Sequence, residues 1–409
     1  MAELTREQKV LLNLMAIALE TEQSLRLDEI ELASVEWKKV AKESISQTVV
    51  WTAFETVQPY RSYIGETLYE AWQARAFSAV PLNIAVMESQ QNLVKIMEEK
   101  GFPYLILKGT SASSYYPHPE WRLLGDVDFL IRPKDREAVE ATLEDAGYKK
   151  WDSEHICHVV FKKENAHLEM HFEVAGIPYG KAGRQVREFL KNATDSWQEK
   201  EQEGCVFKAP TDLLHGVIVL LHMQHHMLGE GLGLRHLCDW AAYVKQTYKE
   251  PYWEESFLPF LKKIGLFRYA SAMTKTCAVY LGIPCPVWAE SVDEILCKEI
   301  IEDVFSSGNF GRKNGARAKS GMLISEHGKS GTKHGAVYNL AHTLHAQVCL
   351  QPYVKKFPPL YPFVYVWKAL RFLFLSMIGK RPNLLKIRSH AEERKNIYKK
   401  LKVFEPDKN

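Results

Sequence analysis

The chain has 409 residues, enough for two or three packed units of ordinary domain size. Hydrophobic residues make up 46% and charged residues 25%, a composition typical of globular proteins and not of disordered ones. The 53 basic and 50 acidic side chains leave a formal net charge of +3, a balance that argues against a dedicated nucleic-acid-binding protein.

The seven cysteines are scattered without a CxxC pair, which indicates free thiols in a reducing compartment. The N-terminus is charged from its third residue and lacks a small-residue cleavage site, so no signal peptide is predicted. The longest apolar stretch, about 357–378, is interrupted by Lys368 and Arg371 and is a poor candidate for a membrane span. The sequence therefore predicts a cytoplasmic protein without a transmembrane segment.

Residues 1–83 are predicted to form a helical unit, because apolar side chains recur there at helical spacing and glycine is almost absent. After Gly101, short apolar runs bounded by glycine or proline alternate with helical segments. Residues 84–208 are therefore expected to form an α/β core. Its predicted strands lie near 104–108, 126–132, 158–162 and 167–174.

Helical periodicity returns at Thr211, an N-cap candidate, and predicts a C-terminal helical unit over 209–305. Its expected helices are 211–227, 235–248, 254–282 and 290–304. A Gly/Lys/Ser-rich stretch at 306–335 is expected to be a mobile loop, and 336–409 a basic helical tail. The predicted fold class is therefore α+β, with a small mixed β-sheet core flanked by helical units at both ends.

Asp126 and Asp128 lie two residues apart on a predicted strand, so their side chains leave the same face. Neighbouring carboxylates repel each other unless a cation lies between them, and hard oxygen ligands suit Mg²⁺ or Mn²⁺. A later strand places Glu169, His171 and Glu173 on its polar face. If the two strands are neighbours, Glu169 completes a three-carboxylate cluster. Glu173 takes that place if the register differs by one pair of residues.

These residues resemble the DNA polymerase β-like nucleotidyltransferase superfamily, and within it the bacterial branch called the uncharacterised nucleotidyltransferase family. The residues that follow the pattern are Lys108, Gly109, Thr110, Arg122, Asp126, Asp128, Glu169 and His171. The stretch from Leu234 to Asp239 is also similar to a Leu-Arg…Asp helix of that branch. The resemblance is specific over about residues 100–175 and weaker to about 245.

The resemblance implies transfer of a nucleoside monophosphate from an NTP to an acceptor, with release of pyrophosphate. It implies that Asp126, Asp128 and Glu169 hold Mg²⁺ or Mn²⁺. The turn at Gly109 and Thr110 would hold the triphosphate, because backbone N–H groups at a helix start favour phosphate. The chain departs from the superfamily in its Gly-Thr turn, its Glu as third acid and a longer gap to the aspartates. The acceptor stays open among small molecules, sugars, peptides and proteins.

Other polar residues lie near this predicted site. Lys108 and Arg122 are each expected either to contact the nucleotide or to pair with one of the aspartates. His171 is expected to contact a phosphate, carry a proton or orient a carboxylate. Arg235 and Asp239 lie four residues apart on a predicted helix, where they either pair with each other or border the cleft.

The predicted helix after Thr211 carries His222, His225 and His226 on one face, with His215 two turns earlier. Three interpretations are open for these histidines: ordinary buried packing, one wall of the substrate cleft, or a zinc site.

Three alternative functions also remain open at the level of the sequence. A degenerate core would bind a nucleotide or a partner and transfer nothing. A nucleic-acid-directed nucleotidyltransferase would use the basic loop and tail, and would show steeply salt-dependent binding. A metal-dependent phosphohydrolase would use the same carboxylates and release phosphate without an acceptor.

Overall fold

The computed structural model describes residues 3–152, 155, 157–178, 180–313, 348, 354, 357–377 and 384–405. Its N-terminal part is helical. The α-helices there are α1 (Arg6–Ala18), α2 (Glu29–Ala33), α3 (Trp37–Ser46), α4 (Val50–Val57), α5 (Arg61–Ile64), α6 (Glu66–Phe77) and α7 (Val80–Lys100).

Local sequence explains where several of these helices begin and end. Thr5 and Asp28 each start a helix with a reciprocal capping box, α1 and α2 respectively. Helix α7 ends at Gly101, whose left-handed φ of 69° suits glycine and closes the last turn. Helix α7 runs across the expected boundary between residues 83 and 84, and the division into units stays a prediction.

A five-stranded sheet follows α7, with two helices between its strands and a third after it. These elements are β1 (Tyr104–Ile106), α8 (Gly109–Ser113), β2 (Val127–Ile131), α9 (Arg136–Asp145), β3 (Lys149–Asp152), β4 (His158–Lys163), β5 (Ala166–His171) and α10 (Gly180–Leu190). The strand order is β1-β2-β5-β4-β3. Only the β2–β5 pairing is parallel among the described strands, and it sets Asp128 opposite Glu169.

One face of this sheet is buried by alternating apolar side chains. Phe129 of β2 and Leu168 and Met170 of β5 are fully buried. They pack in one cluster with Leu93 and Met97 of α7. The opposite face is therefore left for the polar members of the same strands.

A β-hairpin that the sequence did not predict follows α10. Its strands are β6 (Trp197–Gln202) and β7 (Cys205–Pro210), and its turn residues Glu203 and Gly204 both have positive φ. After Trp197, every residue of strand β6 is polar, so the strand lacks the apolar alternation that is typical of strands.

The C-terminal part is again helical. Its α-helices are α11 (Asp212–Leu228), α12 (Leu234–Thr247), α13 (Leu258–Ile264), α14 (Phe267–Leu281), α15 (Val287–Glu290), α16 (Glu294–Ser307), α17 (Tyr361–Met377) and α18 (Leu384–Leu401). The prediction of a single helix over 254–282 is wrong. Helix α13 ends at Gly265, which has a left-handed φ of 75°, and α14 begins after it.

The N-terminal and C-terminal helices share one hydrophobic core. Leu11 and Met15 of α1 belong to the same buried cluster as Trp240 of α12 and Met273 of α14. The α+β prediction, with a mixed sheet and helices at both ends, is confirmed.

The expected mobile loop lies largely outside the described residues, from 314 onward. The described parts of the expected basic tail are Val348, Val354, and α17 and α18 with short flanking segments. Among the helices that the structure describes, none is both long and apolar enough to cross a bilayer.

Candidate active site

A cleft of about 400 Å³ lies between the polar side of the sheet and helices α11 and α12. The first turn of α8 and the residues in and beside β2 and β5 form one wall. The other wall carries histidines of α11 and the start of α12. The two walls thus combine residues that lie far apart in the sequence.

Three carboxylates line the sheet wall: Asp126, Asp128 and Glu169. Asp126 directly precedes β2, and Asp128 lies on β2 at the position paired with Glu169 of β5. Because neighbouring strands hold paired residues at close spacing, the parallel β2–β5 contact brings the third acid to the aspartates.

Asp128 is buried and already has two cationic partners. The Lys108 ammonium lies 2.6 Å from Asp128 Oδ1, and His171 Nε2 lies 2.8 Å from the same oxygen. Burial alone would raise the pKa of Asp128, but Lys108 and His171 outweigh it and hold the pKa well below its usual range. Asp128 is therefore ionised at neutral pH.

His171 connects two of the acids. Its Nε2 also lies 3.4 Å from Glu169 Oε2. Burial lowers the pKa of His171, but hydrogen bonds to Asp128, Cys157 and Glu169 raise it to about 10, so the ring is an imidazolium at neutral pH. In this arrangement His171 holds Asp128 and Glu169 in a fixed relative position.

Asp126 differs from Asp128, because none of the described residues makes an ion pair with it. Burial, followed by repulsion from Asp128 and Glu169, raises the pKa of Asp126 to about 7. Asp126 is thus the one carboxylate of the cluster that has no directly paired cation among the described residues.

Glu173, the alternative third acid, lies elsewhere. Strand β5 ends at His171, and the Glu173 carboxylate forms an ion pair with Arg187 of α10. It lines a separate depression that contains Arg187 and not the aspartates. The structure therefore places Glu169, and not Glu173, beside Asp126 and Asp128.

Arg122 pairs with neither Asp126 nor Asp128. Its guanidinium binds Asp239 of α12, which also accepts a hydrogen bond from Tyr116 Oη at 2.7 Å. Arg235 instead donates from Nη1 to the Leu123 carbonyl at 3.3 Å. Asp239 therefore pairs with the distant Arg122 and not with Arg235, the partner that helical spacing suggested. Arg122, Arg235 and Asp239 all border the cleft.

Gly109 and Thr110 begin α8, directly after Lys108. The Thr110 hydroxyl is buried and donates to Gln90 Oε1 of α7 at 2.6 Å, so it does not face the cleft. Gly109 does line the cleft, with a φ of 36° that glycine adopts most easily. At this turn, the cleft therefore meets backbone and not the threonine side chain.

Histidines of α11 and α12 converge on the second wall. Ring nitrogens of His222, His226 and His236 all lie within 4.8 Å of one another. His215 does not join them, because its ring packs against Tyr115 and Tyr243.

Sequence reasoning overlooked several residues of this cleft. His158 of β4 faces His171, and a signal existed because His158 lies at one end of an alternating strand. His236 directly follows Arg235 and could have been found from that position. Phe310, which packs against His226 and His236, comes from a turn that gave no such signal.

Residues 33–282 match the model of a protein family described as "Uncharacterised nucleotidyltransferase". The matched region runs from the last residue of α2 to the end of α14 and contains the carboxylates, Lys108, His171 and the histidines of the second wall. No curated protein matches the chain.

Proposed function

Because the chain belongs to the uncharacterised nucleotidyltransferase family, we propose that it transfers a nucleoside monophosphate from an NTP to an acceptor and releases pyrophosphate. The observation that carries this proposal is the cluster of Asp126, Asp128 and Glu169, which lines the cleft. Asp128 and Glu169 are paired on two parallel strands, and Asp126 directly precedes the first of them. Such a cluster suits phosphoryl-group chemistry, in which negative charge must be held and offset.

The residues fit a divalent ion. The raised pKa of Asp126 reflects burial beside two further acids without a counter-charge of its own, and oxygen ligands suit Mg²⁺ or Mn²⁺. We propose that Asp126, Asp128 and Glu169 hold the metal. When bound, a divalent ion would polarise the transferred phosphate and offset its developing charge.

The chain's own side chains would perform the remaining tasks. Lys108 and His171 fix the Asp128 carboxylate, and the backbone at Gly109, which lines the cleft, would face the phosphates. The acceptor hydroxyl oxygen would attack the α-phosphorus, and the bond from that phosphorus to the oxygen bridging to the β-phosphate would break. Glu169, whose side chain is 26% exposed, would take the hydroxyl proton while pyrophosphate leaves.

We propose a cytoplasmic location for this reaction. The cysteines of the described residues are free thiols, as expected in a reducing compartment. The acceptor would be a small molecule, a sugar, a peptide or a protein.

One observation favours a second candidate, a nucleotide-binding protein that transfers nothing. Both Lys108 and His171 already contact Asp128 Oδ1, so part of the charge that a metal would offset is met by the protein itself. This candidate predicts nucleotide binding that survives when Asp126 is replaced and when magnesium is removed.

Calorimetric titration of each NTP, with and without magnesium, tests the proposal and separates the two candidates. The samples are the wild type, Asp126→Asn/Asp128→Asn, and the matched control Asp145→Asn, which changes an exposed aspartate on α9. We expect magnesium-dependent binding that only the double variant loses. Binding by a folded double variant at wild-type strength would contradict the metal-dependent transferase.

A further inference from the structure

The second wall of the cleft carries buried polar hydrogens that have no acceptor. Arg235 Nε and His236 Nε2 are both shielded from solvent, and neither has a hydrogen-bond partner among the described residues. The two residues are consecutive in the first turn of α12 and line the same cleft as Asp126. A buried donor without an acceptor is costly, so this pair calls for a partner from outside the chain.

The hydrogen-bonding state of His236 follows from its neighbours. Its side chain is buried, and its Nδ1 accepts a hydrogen bond from the Gly233 backbone N–H at 3.3 Å. Burial, followed by the nearby Arg235 charge, lowers the pKa of His236 to about 3, so the ring is neutral at pH 7. A neutral imidazole that accepts at Nδ1 carries its hydrogen on Nε2. His236 therefore presents a donor at Nε2.

Arg235 adds a positive charge at the same place. Its Nη1 is held by the Leu123 carbonyl, and its guanidinium lies 5.8 Å from the Phe310 ring centroid. None of the described carboxylates makes a direct ion pair with it, because Asp239 is bound by Arg122. The guanidinium thus has charge and a buried N–H available to an anionic ligand.

The same geometry disfavours a metal ion on this wall. His222, His226 and His236 are close enough to suggest one, but a ligating nitrogen must offer a lone pair. The lone pair of His236 lies on Nδ1 and faces Gly233, while Nε2 carries hydrogen. The adjacent Arg235 cation would also repel a metal. An oxygen acceptor with negative charge suits both residues.

We propose that Arg235 and His236 bind a phosphate group of a substrate, carried either by the acceptor or by the NTP itself. The inference rests on the proposed function, because it assigns a role to this wall in the cleft where the transfer substrates would meet. On the wall opposite the carboxylates, the Arg235 guanidinium and the neutral His236 imidazole would together bind the phosphate.

Titration with inorganic phosphate tests this site. The measurement is made on an Asp126→Asn background, which removes an unpaired carboxylate charge that acts on Arg235. EDTA is present, so the result does not depend on a bound metal. Arg235→Met should weaken phosphate binding at least tenfold, and Arg235→Lys should weaken it less because the charge is kept. Arg184→Met, which changes an exposed arginine of α10, is the control and should bind like its parent.

Two His236 variants separate a binding role from a structural one. In His236→Asn, the side-chain oxygen can replace Nδ1 towards Gly233, but the Nε2 donor is lost. In His236→Gln, the amide can reach the Nε2 position. We expect His236→Asn to weaken phosphate binding about tenfold and His236→Gln to restore part of it. Phosphate binding that is unchanged in folded Arg235→Met and His236→Asn, or absent in the parent, would overturn the proposal.

A second arm identifies the source of the phosphate. The wild type is saturated with the magnesium complex of a non-hydrolysable NTP analogue and then titrated with inorganic phosphate. Retained binding assigns the site to the acceptor, and lost binding assigns it to the nucleotide. Because the first arm needs neither metal nor turnover, failure of the phosphate site and failure of the transferase proposal give different results.

Discussion

The Arg122 guanidinium makes a two-point ion pair with Asp239, with 2.7 Å from Nε to Oδ1 and 2.9 Å from Nη2 to Oδ2. Both side chains are buried, and they join the segment before β2 to helix α12. Burial would raise the pKa of Asp239, but Arg122 outweighs it and lowers the pKa to about 2. The pair therefore ties together the two walls of the cleft.

Asp239→Asn should lower the free energy of unfolding by about 3 kcal/mol, because it leaves the Arg122 charge buried without its counter-ion. Chemical denaturation measures this change. The control is Glu188→Gln, which breaks an exposed pair with Lys191 and should cost less than about 1 kcal/mol. If the two variants lost similar free energies of unfolding, the buried pair would contribute no more to stability than the exposed pair does.

Asp126→Asn should stabilise the metal-free protein at alkaline pH. The folded-state pKa of Asp126 is about 7, above the usual unfolded value near 4, so folding disfavours the ionised form. The wild type therefore loses stability as pH rises from about 4 through 7, and the asparagine variant does not. Because Asp126 is only partly buried, we expect a gain of about 1–3 kcal/mol at pH 8.5.

Thermal and chemical unfolding in EDTA at pH 4.5 and pH 8.5 measures this gain. Asp145→Asn is the matched control and should show no pH-dependent gain. Magnesium should reduce the difference in free energy of unfolding between Asp126→Asn and the wild type at pH 8.5, because it would bind and stabilise only the wild type. A gain of equal size at both pH values would mean that repulsion between carboxylates is not its cause.

Glu169→Gln and Glu173→Gln should behave differently although both remove one carboxylate from the same segment. Glu169 lies in the cluster, so Glu169→Gln should reduce magnesium-dependent NTP binding by tenfold or more. Glu173→Gln removes only a partly exposed pair with Arg187 and should cost less than about 1 kcal/mol of stability. Loss of nucleotide binding in the Glu173 variant alone would reverse the assignment of the third acid.

Gly216→Ala should destabilise the protein. Gly216 lies inside α11, where replacing glycine by alanine usually raises the free energy of unfolding by about 1 kcal/mol. A Cβ at this position would lie 2.4 Å from Tyr243 Oη and 2.8 Å from Tyr243 Cζ. Overpacking of this kind costs about 1–3 kcal/mol in the free energy of unfolding. Adding Tyr243→Phe should recover part of the loss. Gly125→Ala, where a Cβ meets open space, is the control.

The carboxylate cluster was accessible to sequence reasoning because its geometry is mostly local. Strand alternation places Asp126 and Asp128 on one face, and one further contact between strands brings in Glu169. The partners of Asp128 could be narrowed only to alternatives. Lys108 was expected to contact the nucleotide or to pair with an aspartate, and the structure shows the second: its side chain reaches Asp128 from a strained backbone with a φ of 43°.

The second wall was harder to predict, because its contacts join residues that are distant in the sequence. The spacing of Arg235 and Asp239 suggested a pair within one helix, but Asp239 is bound by Arg122, 117 positions earlier. A bidentate, desolvated pair is stronger than an exposed pair at helical spacing, so tertiary packing decides the partner. The hydrogen on His236 Nε2 likewise follows from a backbone contact, since the Gly233 N–H donates to Nδ1. A pattern of side chains in the sequence cannot predict that contact.

The hydrophobic core shared by the first and last helices makes the sheet an insertion within one helical body. A fragment cut near residues 84 and 208 would keep the carboxylates but would lose Asp239, the anchor of Arg122. Trimming α1 alone would expose the apolar side chains of α14 against which it packs. The helices and the sheet are therefore interdependent, and a chimaera that exchanges only the sheet must also supply a matching α12.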